Sequence, residues 1–351
     1  MNLDRVEKIA EAVLYEGYML YPYRPSSVKN QQRWNFGVLC PQSYCEQQQG
    51  SEAWTMQTEC LVKAISSTRL TVKIRFLQIV RRSVGRLHTL GQEESEGVEP
   101  RFDPVDRIEV SGRVYQPWEE AAEREHTSIA LDPSELSSLS PLHLTFPAGK
   151  QFEYLCDEQG QAVGVLVREW EALTASVQFD STQCHGGVVK ITVRVRNLTS
   201  FDLAETTNRG NALAFSLISA HTILGVEQGE FLSLLEPPAG LEDLVAQCSN
   251  IGTWPVLVGD QAETMLSSPI ILYDHPQIAP ESAGNLFDST EIDEILSLRI
   301  LTLTDDEKRE MRQSDDRARE ILERTENMPE EQFMKLHGVL RGLTQLKEEA
   351  R

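Results

Sequence analysis

Thiols, histidines and closely spaced carboxylates are the residues of this chain that could do chemistry. Cysteines stand at positions 40, 45, 60, 156, 184 and 248. The trio Cys40, Cys45 and Cys60 is the metal candidate, because thiolates hold zinc and iron–sulfur units strongly. Structural sites use tight pairs, however, and here fourteen residues separate Cys45 from Cys60, with no fourth ligand nearby. Cys60 also sits in an apolar run, where a free cysteine packs as a small hydrophobe. Core packing is the favoured reading, and no metal or cofactor is expected.

Other constellations are weaker. Cys184-His185 would make an activated thiolate, but the following Gly186-Gly187 marks a turn, and neighbours on an extended chain face opposite ways. Glu169 and Glu171 flank Trp170, about 7 Å apart by strand rise, a spacing that paired-carboxylate glycosidases also use. With Arg168 alongside, a solvated strand face explains them better. Asp274-His275-Pro276 reads as a strand-ending turn, and the seven histidines never fall at ligand spacing. No phosphate-binding glycine loop, dinucleotide fingerprint, nucleophile-elbow serine or zinc-protease helix occurs. No catalytic residue is assigned, and a non-enzyme is expected.

The most unusual segment is Tyr18–Trp34. Tyr18, Tyr21, Tyr23 and Trp34 accompany Arg24, Lys29 and Arg33, the aromatic and cationic composition of binding hot spots. It reads either as a partner-binding surface or as an aromatic minicore joining helix to sheet. A second partner-binding candidate is the apolar stripe of a helix opened by Pro329, which includes Phe333, Leu336, Leu340 and Leu343.

The elements that would position these residues follow from periodicity. Leu3, Val6, Ile9, Ala10, Val13 and Leu14 recur at helical steps, so Leu3–Tyr15 reads as an amphipathic helix and not as a secretory signal. Strands are expected at Trp34–Cys40, Ala53–Val62 and Arg69–Phe76. The acidic, Gly- and Pro-containing stretch Gly91–Pro104 reads as a linker. In the polar region Pro117–Pro141, the cluster Glu119, Glu120, Glu123 and Glu125 suggests a short helix. Further strands are expected at Leu142–Phe146, Gln151–Cys156, Ala162–Phe179, Val188–Asn197, Ala212–Leu224, Phe231–Leu235, Thr253–Val258 and Pro269–Tyr273. Thr304 and Glu307 form a capping box for a helix over Asp305–Glu326, whose thin apolar line (Met311, Ala318, Ile321, Leu322) suggests little burial within the chain.

The expected class is mainly β (α+β): an N-terminal α+β domain over 1–104, an antiparallel β-sandwich-like domain over 105–286, and a helical C-terminal tail over 287–351. With 351 residues, two or three domains are the expectation.

The net charge of −21 argues against nucleic acid or an anionic membrane as the main partner, and no apolar run is long enough for a transmembrane helix. The charge is polarised. Residues 1–91 carry a net +5, whereas residues 210–298 hold 13 acids and no Lys or Arg. The two regions either attract one another or present two docking surfaces, or the charge serves solubility alone. The scattered cysteines suit a reducing compartment, so a cytoplasmic location is expected.

Several stretches resemble a known family. Leu14–Arg24 (LYEGYMLYPYR), Arg33–Val38 (RWNFGV), Met265–Ser282 (MLSSPIILYDHPQIAPES), Leu286–Leu298 (LFDSTEIDEILSL) and the capped helix Thr304–Arg324 look like an uncharacterised bacterial family. Its members are encoded beside high-affinity nickel–iron uptake hydrogenases of the actinobacterial type. The resemblance carries no catalytic motif. It implies a role in making, assembling or supporting a hydrogenase; with the absent catalytic signatures, the polarised charge, the aromatic segment and the tail, the expectation is a non-catalytic accessory or assembly protein that binds a hydrogenase subunit or maturation factor. A thiol- or metal-dependent maturation enzyme, and a structural or oligomerising subunit, are the alternatives; the oligomeric state stays open.

Overall fold

The computed structural model describes residues 4–15, 33–88, 99–202, 208–276, 299–314 and 316–329. The fold is mainly β, as expected. It is organised around one strand, β1 (Thr55–Leu87), 33 residues long. The stretch is rich in β-branched and apolar residues and contains no proline, so one strand runs its whole length, with register shifts against its neighbour between Ala64 and Arg69 and between Arg75 and Leu77. The strands expected at Ala53–Val62 and Arg69–Phe76 are thus parts of a single element.

The other members are α1 (Asp4–Leu14), α2 (Gln42–Gln47), β2 (Phe102–Pro104), β3 (Ile108–Val110), β4 (Arg113–Tyr115), β5 (Trp118–Thr127), β6 (Leu142–Phe146) and β7 (Gly149–Cys156). They continue with β8 (Ala162–Trp170), β9 (Leu173–Gln183), β10 (Val188–Asn197), α3 (Arg209–Ala214), β11 (Ile218–Phe231), α4 (Glu242–Ala246), β12 (Trp254–Leu257) and β13 (Thr264–Ser268). Two helices close the described chain, α5 (Asp305–Ser314) and α6 (Asp316–Glu326).

Eleven strands form one open antiparallel sheet, and β3 and β4 form a separate hairpin. Residues of β1 that pair twice fix its two edges. Lys63 pairs with Val188 of β10 and Glu230 of β11; Arg75 pairs with Glu125 of β5 and His221 of β11; Arg82 pairs with Trp118 of β5 and Arg168 of β8. So β10 and β5 follow one another along one edge, and β11 and β8 along the other. Beyond these, β9 and β6 extend from β10, β13 and β12 extend from β11, and β7 pairs with β8. Strands from both sides of residue 104 therefore belong to the same sheet.

Side-chain alternation divides the interior. Met56, Cys60, Val62, Leu70, Val72, Ile74 and Phe76 of β1 join Val189, Ile191, Val193 and Val195 of β10 and Leu224 of β11 in the largest core. Ile223, next to Leu224, points the other way and packs with Val6, Ile9, Ala10 and Val13 of α1. Leu77 and Ile79 pack with Leu14, Tyr15, Trp34, Cys40, Cys45 and α3.

Part of the charge polarity runs between neighbouring strands. Lys63 stands opposite Glu230 and Arg69 opposite Glu227, joining the cation-rich strand to the cation-free stretch. On the other edge, Arg81 faces Glu119 and Arg75 faces Glu125.

That pairing overturns the helix expected around Glu119–Glu125. The segment is β5, ten residues long and antiparallel to β1. Glutamate favours helices only weakly, and cross-strand partners of opposite charge outweigh the preference. Trp34–Cys40 is also not a strand: only Leu39 bridges, to Leu217 and Ala53. Trp34 and Gly37 take left-handed φ values of 64° and 53°, and a Cβ on Gly37 would lie 2.5 Å from Pro269 Cγ. The strand expected from Ala212 begins as α3, capped by Asn208, whose side chain accepts from the Asn211 amide. Pro269–Tyr273 joins no ladder.

The helix expected over Asp305–Glu326 is a hairpin. Lys308 of α5 lies 3.4 Å from the Glu326 carboxylate of α6, which Arg312 also contacts. Its apolar line is buried, contrary to expectation: Met311, Ala318, Ile321 and Leu322 join Ile300 and Leu303 against Leu77 and Ile79. A narrow stripe suffices because each helix offers only one side.

Candidate functional site

The aromatic, cationic entry to the sheet is the natural place to begin. Arg33 and Trp34 are 5% and 4% exposed. The Arg33 guanidinium lies 3.9 Å from the Trp118 ring centroid and 4.7 Å from that of Trp34. It donates to the Glu119 carbonyl at 2.9 Å, and Trp34 Nε1 donates to the Glu119 carboxylate at 3.1 Å. Arg209 ties this corner to Glu52 at 2.7 Å and to the Trp34 carbonyl at 2.9 Å. Arg33 and Trp34 stitch the chain before β1 onto β5. Tyr18, Tyr21, Tyr23 and Arg24, and Phe333, Leu336, Leu340 and Leu343, lie outside the described residues.

The cysteine trio is not brought together. Cys40 and Cys45 pack in the core beside Leu77, whereas Cys60 belongs to the largest core. Burial pushes the Cys40 thiol up to about 11, with the neighbouring Glu52 adding to the shift. Cys45 is raised to about 12 by burial, then by Cys40 and Glu52. Cys60 is raised by complete burial, and Cys248 to about 11 by burial and Glu59. Thiols held protonated in this way are poor nucleophiles. Among the described residues, no group of three or more His, Cys, Asp or Glu could hold a metal ion.

The remaining candidates resolve into structure. Cys184 Sγ contacts the Thr182 carbonyl at 3.6 Å, while His185 begins the turn into β10. Glu169 pairs with Lys150 at 3.3 Å, and the Glu171 carbonyl accepts from buried Gln78 at 2.6 Å. Asp274 accepts from the Leu257 amide at 2.7 Å and from the Ser233 hydroxyl at 2.5 Å, and the His275 amide donates to the Leu257 carbonyl at 2.7 Å. This clasp covers part of the outer edge of β12.

Other edges are not clasped. Within the described sheet, β6 pairs only with β9 and β7 only with β8. Each presents one row of backbone donors and acceptors that no strand takes up. Near the β12 clasp, Ile271 and Tyr273 are 71% and 86% exposed. Periodicity identifies strands, but says nothing about which of them stands at an edge, so these features were not legible in the sequence.

No protein-family model matches the chain, and no curated protein matches it.

Proposed function

We propose that this chain is a cytoplasmic, non-catalytic accessory protein that binds a subunit or maturation intermediate of a nickel–iron hydrogenase. The observation that carries the binding part is the open sheet: the edges of β6 and β7 that no described strand covers offer main-chain groups to an added strand. Exposed Ile271 and Tyr273 supply apolar contact at another edge. The hydrogenase part rests on the sequence resemblance. Burial of Cys40, Cys45 and Cys60 favours this reading over a thiol- or metal-dependent maturation enzyme.

Co-purification from the native host under mild lysis tests it. Recovery of a hydrogenase polypeptide in constant ratio to the chain is expected. Recovery of a lone monomer overturns the proposal. Loss of hydrogenase maturation on Cys40→Ser, Cys45→Ser or Cys60→Ser, with partner binding and fold intact, would favour the thiol-dependent alternative.

A further inference from the structure

The outward face of β10 carries a pair of cations, Arg194 and Arg196, for which no ion pair forms among the described residues. Arg194 and Arg196 are two residues apart on one strand, so they share a face at about 7 Å by strand rise. The alternate residues Val193 and Val195 are buried in the core beneath them. Arg194 is half-buried, yet its acceptor is neutral: Nε donates to Gln57 Oε1 at 2.9 Å, and a terminal nitrogen donates to the same oxygen. A guanidinium has five N–H donors, so most of this one is unused. Arg196 forms no ion pair among the described residues; Thr55 of β1 and Ser176 of β9 stand opposite it on either side.

The surroundings have the polarity of an anion site. Gln178 stands opposite Arg194 on β9, and His143 of β6 stands opposite Ser176. Two carboxylates one register position away on this face, Glu59 and Asp180, have other partners. Glu59 pairs with Lys190 at 3.3 Å and accepts from the Ser249 amide at 2.8 Å and the Thr192 hydroxyl at 3.1 Å. Asp180 accepts from Ser137 at 2.5 Å and from the Ser181 amide at 2.8 Å. Two like charges this close repel unless something of opposite sign lies between them.

We infer that the Arg194–Arg196 pair on the outward face of β10 binds a phosphate-type oxyanion, free or as a monoester. A tetrahedral dianion matches the double positive charge. Its oxygens can accept from both guanidinium forks at about 2.8 Å, the geometry for which arginine is suited. This site is independent of the sheet edges and of any hydrogenase partner.

Titration of the whole protein with inorganic phosphate at constant ionic strength, followed by calorimetry, tests the inference. Saturable binding is expected, weakened about tenfold by R194Q or R196Q and abolished in the double variant. A parallel titration with a phosphoserine peptide distinguishes the sources: tighter binding of the peptide assigns the site to a monoester, tighter binding of phosphate to the free ion. In the unaltered protein, the two arginine Nε–H resonances should shift on phosphate addition, a readout that needs no variant to fold. Absence of saturable binding, or equal binding by the double variant, overturns it.

Discussion

Arg82 and Arg168 stand directly opposite each other on β1 and β8, and the Glu120 carboxylate of β5 takes a hydrogen bond from each, at 2.8 and 2.6 Å. Two cations in register would repel, so the carboxylate holds three strands together. Arg168 also reaches Glu153 of β7 at 2.6 Å, and Arg82 donates to the Gln116 carbonyl at 3.1 Å.

Removing that carboxylate leaves two arginines facing one another with little access to water. Glu120→Gln should destabilise the protein by roughly 2–4 kcal/mol, somewhat under the loss from a fully buried pair. Urea denaturation measures it. In a double-mutant cycle, Arg168→Gln should cost much less in the Glu120→Gln background than alone. Additive costs would show that the residues are not coupled.

His221 gives a pH dependence with a definite sign. Its ring is fully buried, and Nδ1 donates to the Ser219 carbonyl at 2.9 Å, which leaves Nε2 as an acceptor without a partner among the described residues. Its pKa is lowered from 6.5 to about 4, chiefly by burial and also by nearby Arg75 and Lys73, while the Ser219 carbonyl and Glu123 oppose the shift. The folded state thus keeps His221 neutral where the unfolded chain would protonate it. Its contribution is complete above pH 6.5 and is lost as pH falls towards 4, by roughly 3 kcal/mol in all. Denaturation across this range should show the decline, and His221→Phe should flatten it. An unchanged slope in the variant would assign the decline to other groups.

Thiol accessibility should follow burial. Cys156 is exposed, and Cys184 and Cys248 are half-buried, whereas Cys40, Cys45 and Cys60 are buried. Cys156 should therefore react first with a disulfide reagent at pH 8, and Cys60 only on global unfolding. Mass spectrometry of partly labelled protein decides it. Rapid labelling of Cys60 in the folded protein would mean that β1 opens locally.

What the sequence showed and what it hid have a common physical cause. Alternation on β10 is visible because Val189, Ile191, Val193 and Val195 face a core on one side only. The same reasoning missed β5, because its acidic residues are placed by cations some forty residues earlier on β1, a distance in sequence that no local pattern reports. It recognised Arg33 and Trp34 as unusual without locating them, since their environment is completed by Trp118 and Glu119. Only the neighbouring strand, and nothing within β10 itself, shows that Arg194 faces a glutamine and not a carboxylate.

The C-terminal helices offer the last prediction, and the one that most changes the sequence-based expectation. Met311, Ala318, Ile321 and Leu322 are almost completely buried, and they cover Leu77 and Ile79 of β1 together with Ile300 and Leu303. Removing residues 299–351 would expose that apolar surface, so the shortened chain should bind a hydrophobic dye and unfold at lower denaturant. The point variant Leu322→Ala deletes buried carbons in the same place and should cost about 2–5 kcal/mol, the range for large-to-small core changes. If the tail were only a tether for other subunits, both changes would leave the stability of the body untouched. Equal urea midpoints for the full and shortened chains would establish that role and refute the packing described here.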